Sequence, residues 1–147
     1  MDADELPIPV LLRAARGAYG NAIRRELSAG GFEDLPRSGP FVLGGMANHG
    51  AAAGDLVRRL GVSKQAASQL VDVLVLRGYL ERRDNAEDRR RLDILLTARG
   101  RAAAAAVRAG VESVDRELEQ RLSANDLAGL RTGLLALIEI REQGEAT

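Results

Sequence analysis

The sequence predicts a mainly α-helical fold that carries one small β-hairpin. Three observations lead there. Apolar residues recur every three to five positions along most of the chain, close to the period of an amphipathic helix. Between Tyr79 and Leu96 the period switches to two, as in a half-buried strand. The 147 residues suit a single domain, and 46% of them are apolar, enough to build a core.

Residues 1–9 contain Pro7 and Pro9 and read as an irregular arm. A first helix follows over 10–29, with Leu12, Ala15, Tyr19, Ala22 and Leu27 on its apolar stripe and Gly30-Gly31 as its stop. Phe32 to Gly39 is a connector. Pro40 then suits the first turn of a short helix carrying Phe41, Val42, Leu43 and Met46, which Gly44-Gly45 weaken and an Asn48-His49-Gly50 turn ends. Ala51 to Ala53 read as a minimal strand or a turn. Gly54-Asp55 opens a short helix with Leu56, Val57 and Leu60 inward, and Gly61 closes it. Ser63 is placed to cap the next helix, Lys64 to Arg77, whose buried face is Ala67, Leu70, Val71 and Leu74. Gly78 stops that helix.

Tyr79 to Arg83 reads as a strand, Asp84 to Asp88 as a polar tip, and Arg90 to Leu96 as a returning strand. Thr97 can cap a long helix to about Leu122. Ser123-Ala124-Asn125-Asp126 resembles a capping box, and it opens a last helix with Leu127, Leu130, Leu134 and Leu137 on one stripe. Leu135 and Ile138 widen that stripe enough to favour a second partner helix.

Composition removes whole classes of function. Without Cys there is no disulfide, thiolate metal site or thiol switch, and a single His excludes a His-rich metal centre. No cofactor is expected. An enzyme lacks its parts: no nucleophilic Cys, no acid suitably near His49 in sequence, and no phosphate-binding Gly loop. The acidic N-terminus does not read as a signal peptide, and no apolar run approaches a membrane span, so a cytoplasmic protein is expected. Bases and acids balance at 21 each, yet residues 54–101 hold eleven bases against seven acids. On charge alone that excess is ordinary scatter; its location gives it meaning.

A short helix, a tight turn, a longer helix and a hairpin make residues 54–97 a winged helix-turn-helix, within a DNA-binding lobe over 40–97. In such a lobe the longer helix enters a DNA major groove. Ser63, Lys64, Gln65, Ala66, Ser68 and Gln69 form its outward N-terminal surface. Gln can pair with adenine, Lys with guanine, and an Ala methyl can touch a thymine methyl. The hairpin carries Arg82 and Arg83 before its tip and Arg89, Arg90 and Arg91 after it, suited to a narrow minor groove and its phosphates. A winged-helix module that binds only protein is the alternative; such a wing should lack its basic residues, and this one keeps five Arg.

The run from Leu70-Val71-Asp72 through Leu80-Glu81-Arg82-Arg83, then Asp88-Arg89-Arg90 and Leu95-Leu96-Thr97-Ala98-Arg99-Gly100, resembles the MarR family of bacterial transcription regulators. The elements stand in the family's order and at family-like spacing, and the terminal helices fit as well. The resemblance implies a homodimer joined by helices over 10–29 and 98–143 that acts on double-stranded DNA. Its two-fold symmetry calls for an inverted repeat operator, and a repressor is expected, with an activator as the open alternative. It implies that Arg90 reaches the minor groove with Asp88 placed to pair with it. It also implies a crevice for a small aromatic or anionic effector, for which Arg16, Tyr19 and His49 are candidates. Tyr19 fits a core position equally well, and His49 fits a solvent-exposed turn. Having no Cys, the chain departs from the members that sense peroxide through a thiol.

Overall fold

Six helices and one antiparallel hairpin make up the computed structural model, which describes residues 5–50, 52–59 and 61–145, with the backbone alone at His49 and Glu145. The elements are α1 (Ile8–Ala29), α2 (Gly39–His49), α3 (Ala53–Arg59), α4 (Lys64–Leu76), β1 (Leu80–Asp84), β2 (Leu92–Leu96), α5 (Ala98–Arg121) and α6 (Ala124–Glu145). By its internal contacts the chain divides into two units, Met1–Val111 and Glu112–Thr147.

Two expectations shift at helix ends. The expected arm becomes helical at Ile8, because Pro9 lies in the first turn, where its missing N–H needs no partner. In α2, Gly44 and Gly45 sit inside one continuous helix that runs on through Asn48 and His49. Gly45 is there for closeness: a Cβ on it would meet Leu56 Cδ2 at 2.6 Å. Gly50 supplies the left-handed C-cap, at φ +59°, and its N–H donates to the Met46 carbonyl. Of the segment read as a strand or turn, Ala53 opens α3, while Ala51 lies outside the described residues, as does the expected inward Leu60.

The core of the first unit gathers Leu27, Val42, Leu43, Val57, Val71, Leu74, Tyr79, Leu80 and Val107 from five helices and the hairpin. Burial of these side chains is what holds the lobe together, at roughly 25 cal/mol per Å² of apolar surface removed from water. Gly110 lets α5 come up against α1, since a Cβ there would lie 2.7 Å from the Ile23 Cα. Gly100 does the same beneath the hairpin, where a Cβ would lie 2.0 Å from the Tyr79 carbonyl oxygen.

The caps expected from sequence form. Ser63 Oγ accepts from the Ala66 N–H at 3.2 Å. Thr97 Oγ1 accepts from the Gly100 N–H at 3.0 Å. In the second unit Ser123 and Asp126 bond reciprocally: the Asp126 N–H donates to Ser123 Oγ and the Ser123 N–H to Asp126 Oδ2, each at 3.2 Å. No helix among the described residues is long and apolar enough to cross a membrane.

Candidate nucleic-acid interface

Gly61 makes the turn between α3 and α4, adopting φ +66°, a conformation that L side chains resist. Ser63 then starts α4. Val71 and Leu74 anchor its inner face in the core. At about 100° per residue, Gln65, Ser68, Gln69 and Asp72 fall away from that buried face, and Lys64 precedes them as the first residue of the helix. All five are exposed, as is Ser63, while Ala66 is half-buried at the edge of this surface.

β1 and β2 pair in register from Leu80 opposite Leu96 to Asp84 opposite Leu92. β2 begins two residues later than the sequence period predicts, so Arg90 and Arg91 belong to the tip rather than to a strand. Asn85 is the cause. Its Oδ1 accepts from the Glu87 and Asp88 N–H groups, both at 2.9 Å. Its Nδ2 donates to both oxygens of Asp93 at 3.1 Å. Its own N–H donates to the Arg91 carbonyl at 3.0 Å, and the Arg91 N–H donates to the Asp88 carbonyl at 3.0 Å. The contact of Asp88 with Arg90 runs through the backbone: the Arg90 N–H donates to Asp88 Oδ1 at 3.0 Å. Asp88 thereby shapes the turn that presents the Arg side chain.

The five wing arginines fall into two sets. Arg82 pairs with Asp72 of α4, and Arg83 pairs with Glu81 at 2.6 Å. The side chains of Arg89, Arg90 and Arg91 are exposed, and among the described residues no ion pair engages them.

Beneath the hairpin lies a cluster that sequence reasoning did not find. Asp34, in the connector after α1, accepts from the Tyr79 hydroxyl and, at 2.8 Å, from Arg99 of α5. Arg77 at the end of α4 donates to the Asp34 backbone carbonyl. The Arg99 guanidinium lies over the Tyr79 ring at 4.6 Å and over the Phe32 ring at 5.7 Å. The Tyr79 hydroxyl, with Arg99 alongside, holds the Asp34 carboxyl below its ordinary range. Burial, then the bond to Asp34, pushes the Tyr79 phenol up. Asp34 is separated by 43, 45 and 65 positions from the residues it joins, so no local pattern announces it.

A shallow groove of about 420 Å³ runs between α2, the hairpin and the start of α5, lined by Met46, Ala47, Glu81, Arg83, Leu95, Leu96 and Arg101. Of the candidate effector residues, neither Arg16, which is exposed on α1, nor Tyr19, which is half-buried there, lines it. The side chain of His49 lies outside the described residues.

A capped helix behind a Gly turn, followed at once by an arginine-bearing hairpin, defines a winged helix-turn-helix protein. The comparisons with known proteins narrow the class. A family model described as MarR family matches residues 34–91. S. aureus MepR in complex with DNA is similar at a TM-score of 0.71 and 19% identity, over 91% of this chain and 98% of that one. A MarR family transcription regulator is similar at 0.69 and 26% identity, over 92% and 86%. Wild-type E. coli MarR in its apo form is similar at 0.60 and 23% identity, over 90% and 97%. No curated protein matches. Residues 34–91 thus match the MarR family model, and the chain shares the fold of these MarR-type structures.

Proposed function

We propose that the protein is a sequence-specific double-stranded DNA-binding repressor that works as a homodimer on an inverted repeat and is released by a small effector. One observation carries this reading: a polar, exposed helix face stands beside a wing tip whose three arginines lack acidic partners among the described residues. Arginines without intramolecular partners are free to release counterions from phosphates or enter a minor groove. The similar MepR structure was determined with DNA, which supports the same use here. The protein-only alternative gives those arginines nothing to do.

In this reading Ser63 and the first N–H groups of α4 hold a phosphate. Gln65, Ser68 and Gln69 read base edges, Ala66 gives close approach, and Lys64 meets a phosphate. Arg89, Arg90 and Arg91 follow the minor groove, with Asp88 setting their turn. The effector is a small aromatic or anionic molecule. The groove at Arg83 and Arg101 offers charge and apolar walls for it, and Arg16, Tyr19 and His49 stand as alternative contacts.

Selection of bound DNA from a random pool tests the proposal. The expected product is an inverted repeat with half-sites roughly 10–11 base pairs apart. Gln69→Ala should relax one or two base pairs, at about 1–3 kcal/mol each. Lys64→Ala should weaken all sequences alike. A pool that yields no inverted repeat refutes the reading.

A further inference from the structure

Arg82 is the one wing arginine whose side chain reaches the recognition helix, and we propose that it is a positioning residue that sets the angle between wing and helix through Asp72, without touching DNA itself. This rests on the DNA-binding reading above. In β1 successive side chains alternate faces, so Arg82 shares its face with Leu80, which is buried in the core. That places it toward α4, where it pairs with Asp72 ten residues earlier. The Arg82 side chain keeps 37% of its exposure and Asp72 keeps 62%. Asp72 lies on the same outward face of α4 as Gln65, Ser68 and Gln69.

The pair therefore does two things. It neutralises a carboxylate on the surface that approaches phosphates. It also ties the root of the hairpin to the helix that reads bases. An exposed ion pair adds little to folding stability, commonly 0–1 kcal/mol. Its value lies in orientation, because the wing reads one groove while α4 reads the next. Arg89, Arg90 and Arg91 differ in kind: their side chains engage no acid among the described residues.

A double-mutant cycle tests the assignment on the full chain. Arg82→Gln should lower affinity for the selected site about tenfold and blur the bases flanking each half-site, leaving the bases under α4 unchanged. In the Asp72→Asn background the same substitution should cost less than twofold. Equal losses in both backgrounds, with the log–log salt slope reduced by about one, would make Arg82 a phosphate contact and overturn the proposal. A merely stabilising role would lower the melting temperature and leave the flanking preference intact, which overturns it too. Amide exchange without DNA separates failure of the brace from failure of the DNA reading. The amides of β1 and β2 should exchange faster in Arg82→Gln, and unchanged exchange sinks the brace whatever the DNA result.

Discussion

Gly100 shows how much one absent methyl group can decide. It opens α5 directly against the hairpin, and the Tyr79 carbonyl that a Cβ would strike also accepts from the Thr97 N–H at 3.1 Å. That oxygen belongs to the backbone and cannot swing away. Gly100→Ala should therefore destabilise the fold by about 1–3 kcal/mol, the usual cost of overpacking, although Ala is the better helix former. Urea denaturation checks this, and an unchanged midpoint would refute the close approach. Arg99, next to Gly100 in the chain, pairs with Asp34, whose carboxyl gives a pH signature. The Asp34 carboxyl titrates below its ordinary value of 3.8 in the folded state. Its contribution is full above that value and is lost as pH falls through the lower folded pKa. Below pH 4, the melting temperature of the wild type should fall more steeply than that of Asp34→Asn. Parallel curves would show that Asp34 is not held as described.

At the scale of elements, the helices were legible because their signals are local. Ser63, Thr97 and Ser123 cap as their positions imply. Gly61 and Gly78 adopt the positive φ that their places between elements suggest. What the sequence hid was contact at a distance. Asp34 and Arg77 are ordinary surface residues until the fold brings them together. Arg82 and Arg90 are the same residue type on the same hairpin, and only the structure separates the one paired with α4 from the one at the tip. Asn85 did leave a signal: an Asn whose side chain accepts from N–H groups two and three residues on is a local turn former, placed here between two strands. Asn85→Ala removes the lashing but no charge. It should weaken DNA binding about tenfold with an unchanged salt slope, as measured by titration at several salt concentrations. Arg90→Ala, by contrast, should flatten the slope by about one unit. A shallower slope for Asn85→Ala would show that the tip was not its target.

For the whole molecule, α6 poses the question of cover. Leu134, Leu135, Ile138 and Ile140 are all exposed on it, at 38 to 65%. Near the other end of the chain, Ile8, Val10 and Leu12 of α1 are exposed as well. Helices in water draw most of their stability from a packed apolar face, so these stripes call for a second copy. Light scattering of the intact chain at micromolar concentration should give twice 15.7 kDa. Leu134→Glu with Ile138→Glu should shift it toward the monomer and abolish binding to the full inverted repeat. A monomer mass for the wild type would remove the dimer.

The lashed tip of the wing also bears on the thermodynamics of association. Fixing a loose loop costs about 1–2 kcal/mol of backbone entropy per residue. Asn85 and Asp93 meet that cost during folding, before any duplex arrives. On the proposed reading the wing docks as a preformed part, and binding should carry no coupled folding step. Its heat-capacity change should follow the surface buried on DNA alone, without the excess that marks a segment ordering as it binds.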